Sequence, residues 1–235
     1  MNCVILFFGV LSFASCLEAQ QVKGNGKVIL QDRKTEPFTQ LVITGVFNVF
    51  LDQSSVESVK VETDENLQFV VETEFHNNTL TLQWNKKAEN SHSTKMNVYV
   101  TVKDLKSLRM DGVGDLKTKS TLKLEDLSLK ISGVGNTSLI LNCKKIDADL
   151  AMIGNLKLEG NSNEMSMKAS GTGNIKAFDF IVQNLLVDIS GVGNADVRAE
   201  NEISINATGV GNLSYKGNAL VKKLNAEGIG KVKKM

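Results

Sequence analysis

The sequence predicts an all-β repeat fold, a β-solenoid, and three observations predict it. A glycine-centred corner recurs seven times at a spacing close to twenty residues. The residues leading into each corner alternate between apolar and polar, as strands with one buried face do. Glycine is frequent, at 19 residues, whereas Pro37 is the only proline, a balance that suits many strands joined by tight turns.

The corners are Asp111-Gly112-Val113-Gly114-Asp115, Ser132-Gly133-Val134-Gly135-Asn136, Ala151-Met152-Ile153-Gly154-Asn155, Ser170-Gly171-Thr172-Gly173-Asn174, Ser190-Gly191-Val192-Gly193-Asn194, Thr208-Gly209-Val210-Gly211-Asn212 and Glu227-Gly228-Ile229-Gly230-Lys231. The steps between them are 21, 19, 19, 20, 18 and 19 residues. A sustained period of this length is the mark of a solenoid. Leu127, Leu129 and Ile131 lead into one corner, and Leu185, Val187 and Ile189 into another. The alternation resumes afterwards, as at Leu156 and Leu158. Each coil therefore reads as a strand, a glycine corner, a second strand and a variable return. Helix is disfavoured, because glycine at this density costs about 1 kcal/mol per site in a helix.

Stacked coils turn aligned positions into columns about 4.8 Å apart. Three residues before the first glycine, Lys130, Asp149, Lys168 and Asp188 alternate in sign, each cross-strand pair contributing about 0.2–1 kcal/mol. After the second glycine, Asn136, Asn155, Asn174, Asn194 and Asn212 predict a ladder of side-chain amides with charged ends at Asp115 and Lys231. Lys231, Lys233 and Lys234 oppose edge-to-edge association of the last coil.

Residues 106–235 form the repeat solenoid in this reading, and residues 38–105 an irregular β region with strands at 41–51, 58–62, 69–75, 79–84 and 96–102. Thr44-Gly45-Val46-Phe47-Asn48 is a degenerate relative of the corner, so this region reads as irregular early coils. Residues 86–95 read as a loop and 20–37 as a polar segment. Residues 1–19 read as a signal peptide: an apolar run over 4–13 precedes the small residues Ala14, Ser15 and Ala19, and is too short to span a bilayer. Cleavage after Ala19 leaves Gln20 as the new N-terminus and Cys143 as the single cysteine, a small core residue with no intrachain disulfide. Lipid attachment at Cys16, within Ala14-Ser15-Cys16, is the alternative to simple cleavage.

Leu41-Val42-Ile43-Thr44-Gly45 followed by Val49-Phe50-Leu51, the segment Val59-Lys60-Val61-Glu62-Thr63-Asp64-Glu65-Asn66-Leu67, and the run from Val98 to Leu108 into repeated Gly-x-Gly-Asn carry a family resemblance. Together they resemble the family described as putative auto-transporter adhesin, head GIN domain. The resemblance covers residues 38–230 and implies a single-stranded β-helical protein of a bacterial envelope with an adhesive role. It brings no catalytic residues. Met152 departs from the pattern by replacing a corner glycine, which predicts a local change of turn.

A net charge of +1 gives no field that would gather nucleic acid or an anionic membrane. The repeated Gly-x-Gly is not a dinucleotide fingerprint, because each copy leads into a strand rather than a helix. The corner glycines Gly112, Gly114, Gly133, Gly135, Gly154, Gly171, Gly173, Gly191, Gly193, Gly209, Gly211, Gly228 and Gly230 are read as structural, as is the asparagine ladder. Asp111 with Asp115 is a candidate calcium pair, set against solvated capping carboxylates. Asp147, Asp149, Asp188, Lys130 and Lys168 are the residues a polysaccharide-cleaving β-helix would use, set against a plain charged ladder. His76 and His92 read as loop residues rather than metal ligands. Trp84, Phe178, Phe180 and Tyr215 are the aromatic candidates for a sugar platform, set against core positions. The expectation is a non-catalytic exported envelope protein, an adhesin or binding module for a cell-surface glycan or protein, without cofactor, metal or transmembrane span. A ligand-free envelope scaffold and a polysaccharide-active enzyme are the alternatives.

Overall fold

The structure, a computed structural model, describes residues 23–85, 88 and 92–235. The expected signal peptide, its lipidation alternative at Cys16 and part of the expected loop lie outside the described residues. The strands are β1 (Val28–Arg33), β2 (Gln40–Val46), β3 (Asn48–Gln53), β4 (Ser58–Asp64), β5 (Val71–His76), β6 (Thr79–Trp84), β7 (Met96–Val102), β8 (Ser107–Val113), β9 (Leu116–Thr118), β10 (Leu122–Val134), β11 (Thr137–Ile153), β12 (Leu156–Ala169), β13 (Ile175–Lys176), β14 (Phe180–Ile189), β15 (Ala195–Ala207), β16 (Leu213–Lys216), β17 (Leu220–Ala226) and β18 (Val232–Lys234). They form a β-solenoid of about 7 turns with coils of roughly 19 residues.

Period-two alternation dictates this packing. In β11, Leu139, Leu141 and Cys143 point inward, then Lys144 and Lys145 both face out, then Ile146, Ala148 and Leu150 point inward again. The double outward step is a second corner, and the pairing of β10 with β11 skips Glu125 and Lys144 there. Parallel in-register stacking aligns the inward residues into columns, one of which runs Leu80, Leu41, Leu108, Leu129, Ala148, Met167, Val187 and Ile205. All eight are buried. Cys143 is free and buried, and burial with the nearby Asp126 charge pushes its thiol up to about 12.

The N-terminal region threads differently from its chain order. The β2–β3 coil lies between two coils made later in the chain. On one side β8 pairs with β2 with Gly45 opposite Gly112, and β9 pairs with β3. On the other side β6 pairs with β2 and β7 with β3, again parallel. Antiparallel strands then close that end: β5 on β6, β4 on β7 and β1 on β4. The β5–β6 hairpin turns through Asn77 and Asn78 at φ 46° and 59°, the two left-handed positions of a type I′ turn.

Two expected strands are redrawn. The strand at 41–51 is broken at Phe47, whose side chain turns into the core beneath Gly45; only a residue lacking Cβ leaves room for that ring. The strand at 69–75 begins later, because Glu65–Val70 forms a 3-10 turn that buries Leu67 and Val70. An apolar run of that length does not by itself distinguish the two.

Candidate functional site

The corner joins adjacent coils through backbone and asparagine alike. Gly173 stands at φ 148°, and a Cβ there would fall on the carbonyl oxygen of Gly154 in the preceding coil. Asn155 donates from its backbone N–H and its Nδ2 to Asn136 Oδ1 at 3.2 and 3.1 Å. Asn174 does the same to Asn155, both at 3.2 Å, and the backbone N–H groups of Asn194, Asn212 and Lys231 continue the column. The column passes through Asp115 rather than ending on it. Asp115 N–H donates to Asn48 Oδ1 at 2.9 Å, Asn48 Nδ2 to Asn97 Oδ1 at 3.1 Å, and Asn97 Nδ2 to Glu62 Oε2 at 3.1 Å. Asn48 belongs to the degenerate corner, and the register of β3 with β7 adds Asn97.

Met152 pairs with Gly133 and turns its side chain into the core, while Gly154 keeps a positive φ of 144°. The corner thus accommodates a side chain at its first position when that side chain points inward. The middle residue of the corner points outward in each coil that has one. Val46, Val113, Val134, Ile153, Val192, Val210 and Ile229 are all exposed and form a ridge interrupted by Thr172.

An opening in the face formed by β1, β4, β7, β3 and β9 brings several chemistries together. Phe50 of β3 and Tyr99 of β7 are cross-strand neighbours, and their rings stack with centroids 5.1 Å apart and planes 21° apart. The Lys119 ammonium lies 4.2 Å from the Tyr99 centroid and 6.0 Å from that of Phe50. Beside them is a cavity of about 290 Å³, lined also by Leu30, Asp52, Lys60 and Glu62, with Ser58 and Thr101 joined by a 2.9 Å hydroxyl hydrogen bond. The Tyr99 hydroxyl donates to Glu62 at 2.6 Å, and Lys95 reaches the same carboxylate at 2.8 Å. Burial alone would raise the Glu62 pKa, but the hydrogen bonds from Lys95, Tyr99 and Asn97 outweigh it and hold the carboxyl below its ordinary value.

Neither Phe50 nor Tyr99 is among the aromatic residues singled out in the sequence. Of those, Phe180 is buried, Trp84 and Tyr215 pack against the core, and Phe178 lies under the Lys216 ammonium at 4.1 Å. The signal that finds the pair is the similarity of Asn48-Val49-Phe50-Leu51 to Asn97-Val98-Tyr99-Val100, which places both rings two residues after an asparagine.

A family model described as Putative auto-transporter adhesin, head GIN domain, matches residues 37–219. The chain belongs to this family. Among solved structures it is similar to a putative adhesin from Bacteroides fragilis, at 25% identity and TM-score 0.85, covering 91% of this chain and 100% of that one. It is also similar to a putative adhesin from Parabacteroides merdae, at 25% identity and TM-score 0.64, covering 91% and 98%. A putative lipid binding protein from Parabacteroides distasonis shares the fold at 23% identity and TM-score 0.72, covering 92% and 100%. No curated protein matches the chain.

In this head GIN domain chain, the residues that suggested polysaccharide cleavage share one outward face, where Lys168 and Asp188 line an open cavity of about 230 Å³. Lys130, Asp149, Lys168 and Asp188 stand opposite one another in register. Among the described residues they form no ion pair with each other; Asp188 accepts from Asn206 Nδ2 at 2.9 Å. Asp147 lies one column over, opposite Ser128 and Ser166. Asp111 and Asp115 are each bound by a cation two residues away in the chain, Arg109 and Lys117. Lys117 is the main reason the Asp115 carboxyl sits below its ordinary value. His76 touches Asn77, and His92 pairs in a short bridge with Lys23. Among the described residues no group of three or more His, Cys, Asp or Glu side chains is placed to hold a metal ion. No helix among them is long and apolar enough to cross a membrane.

The side chain that organises the capped end is Asp64, fully buried. It accepts from Gly26 N–H at 2.7 Å, Thr94 N–H at 2.7 Å and the Thr94 hydroxyl at 3.0 Å. Burial alone would raise its pKa; these donors outweigh burial and hold the carboxyl below its ordinary value. Asp64 thereby ties the start of the described chain to the segment entering β7.

Proposed function

We propose that the chain is a non-catalytic exported protein of the cell envelope that acts as an adhesin or binding module. The observation carrying this reading is the Phe50–Tyr99 opening, where aromatic, cationic and hydroxyl groups face solvent together beside a cavity of about 290 Å³. Binding sites combine apolar walls with a few convergent polar groups in this way. The family description and the names of similar structures support an adhesive role. In this reading residues 1–19 are a signal peptide, or Cys16 carries a lipid anchor, and residues 20–37 lead into the irregular β region (38–105) and the repeat solenoid (106–235). The corner glycines and the asparagine column serve the stack rather than a ligand. Candidate partners are a cell-surface glycan or a protein.

Protease shaving of intact source cells, followed by mass spectrometry, tests the location that adhesion requires. Release of peptides from residues 175–198 without lysis is the expected result, and glycan and protein arrays then identify the partner. Peptides that appear only after the envelope is opened sink the adhesin reading in favour of a periplasmic scaffold.

A further inference from the structure

We propose that the Tyr99 pocket takes one acidic sugar unit of a glycan, with the sugar carboxylate held by Lys119. The inference rests on the binding reading above and names the chemistry of its ligand. A cavity of about 290 Å³ is at the small end of ligand sites, the size of a single ring rather than a long chain. Its apolar parts are the stacked Phe50 and Tyr99 rings and Leu30, which is half exposed at the rim. Such a surface suits the C–H face of a pyranose. Beside it, the Ser58 and Thr101 hydroxyls keep unused lone pairs after bonding each other, and both serve sugar hydroxyls.

The charges select an acid. Lys60 is paired with Asp32 at 3.1 Å, and Glu62 is held by Lys95, Tyr99 and Asn97. Asp52 accepts from Gln53 N–H and from the Ser120 hydroxyl. Of the two wall lysines, only Lys119 has no ion-pair partner among the described residues; Asp52, the other wall group outside an ion pair, is engaged by the two hydrogen bonds just given. Its backbone N–H is anchored on Leu51 C=O at 2.7 Å, so its main chain is fixed while its ammonium rests over the Tyr99 ring. An exposed cation–π contact is weaker than a charge-assisted hydrogen bond, so a ligand carboxylate draws the ammonium to itself without breaking another ion pair.

The test is calorimetric titration of the purified protein with uronate- and sialate-containing oligosaccharides, each matched with its methyl ester. At least one acid is expected to bind at least tenfold more tightly than its ester. Lys119→Gln is expected to abolish that preference with an unchanged thermal midpoint, whereas Lys130→Gln, on another face, retains it. The inference is overturned if no acid in the panel is preferred over its ester, or if the preference survives Lys119→Gln. Array partners that bind wild type and Lys119→Gln equally would overturn it too, while leaving the adhesive reading in place. That reading fails separately, by the shaving experiment.

Discussion

At Gly173 two constraints coincide, a φ of 148° and a neighbouring carbonyl where a Cβ would go. Gly173→Ala is therefore expected to destabilise the protein by about 3 kcal/mol, read from the urea midpoint, since left-handed strain of about 1–3 kcal/mol adds to the clash. Asp64 carries a different kind of cost. Replacing it by Asn leaves one of its backbone N–H donors facing an amide N–H, and is expected to remove about 2 kcal/mol at pH 7. The Asp64 carboxyl is held below its ordinary value of about 3.9, so the unfolded chain takes up the proton more readily. Its stabilisation is full above that value and disappears as pH falls through the folded-state pKa. Denaturant titrations across pH are expected to show wild type and Asp64→Asn differing at neutral pH and converging under acid. The sequence marks Asp64 only as one letter in a family-like segment. Its role depends on Thr94, thirty residues onward, meeting Gly26 across the cap, a contact that no local pattern records.

The coil is where the sequence speaks most clearly, because spacing and alternation are local properties and the repeat displays them many times. Corner positions, inward residues and the order of coils from β8 to β18 follow from periodicity alone. The breaks do not. Phe47 turns inward at a point where alternation predicts one strand through 41–51, and the 3-10 turn at Glu65–Val70 occupies part of an apolar run that also reads as a strand. The aromatic opening was hidden for the same reason: Phe50 and Tyr99 are neighbours only in a register that joins β3 to β7. The asparagine column supplies a graded test of this element. Asn155→Ala loses hydrogen bonds to both neighbouring coils, but its site is exposed and water replaces them, so a loss of about 1 kcal/mol is expected. Asn97→Ala removes a buried rung, leaving Asn48 and Glu62 short of partners, and about 2 kcal/mol is expected in the same chemical-denaturation assay.

Across the whole molecule burial is uneven. The N-terminal coils are sealed by antiparallel strands, whereas β17 is exposed at nearly every residue and Ile229 is 76% exposed. Local opening free energy follows burial, so amides of β17 and β18 are expected to exchange with deuterium well before those of β8 to β11, measured by mass spectrometry. What the sequence could not disclose at this scale is the order of the first coils, since a solenoid period says that coils stack without saying on which side. The threading of β2–β3 between two later coils has a consequence for how the chain assembles as it emerges from N- to C-terminus. The first coil made has both edges open, and the chain first fills one of them, closing that end by the time residue 102 has appeared. From then on only one growing edge exists, and each new coil of roughly 19 residues has a single template to add to. The early segment thus behaves as a seed with a blocked tail, making elongation directional and giving every later coil the same neighbour at the moment it forms.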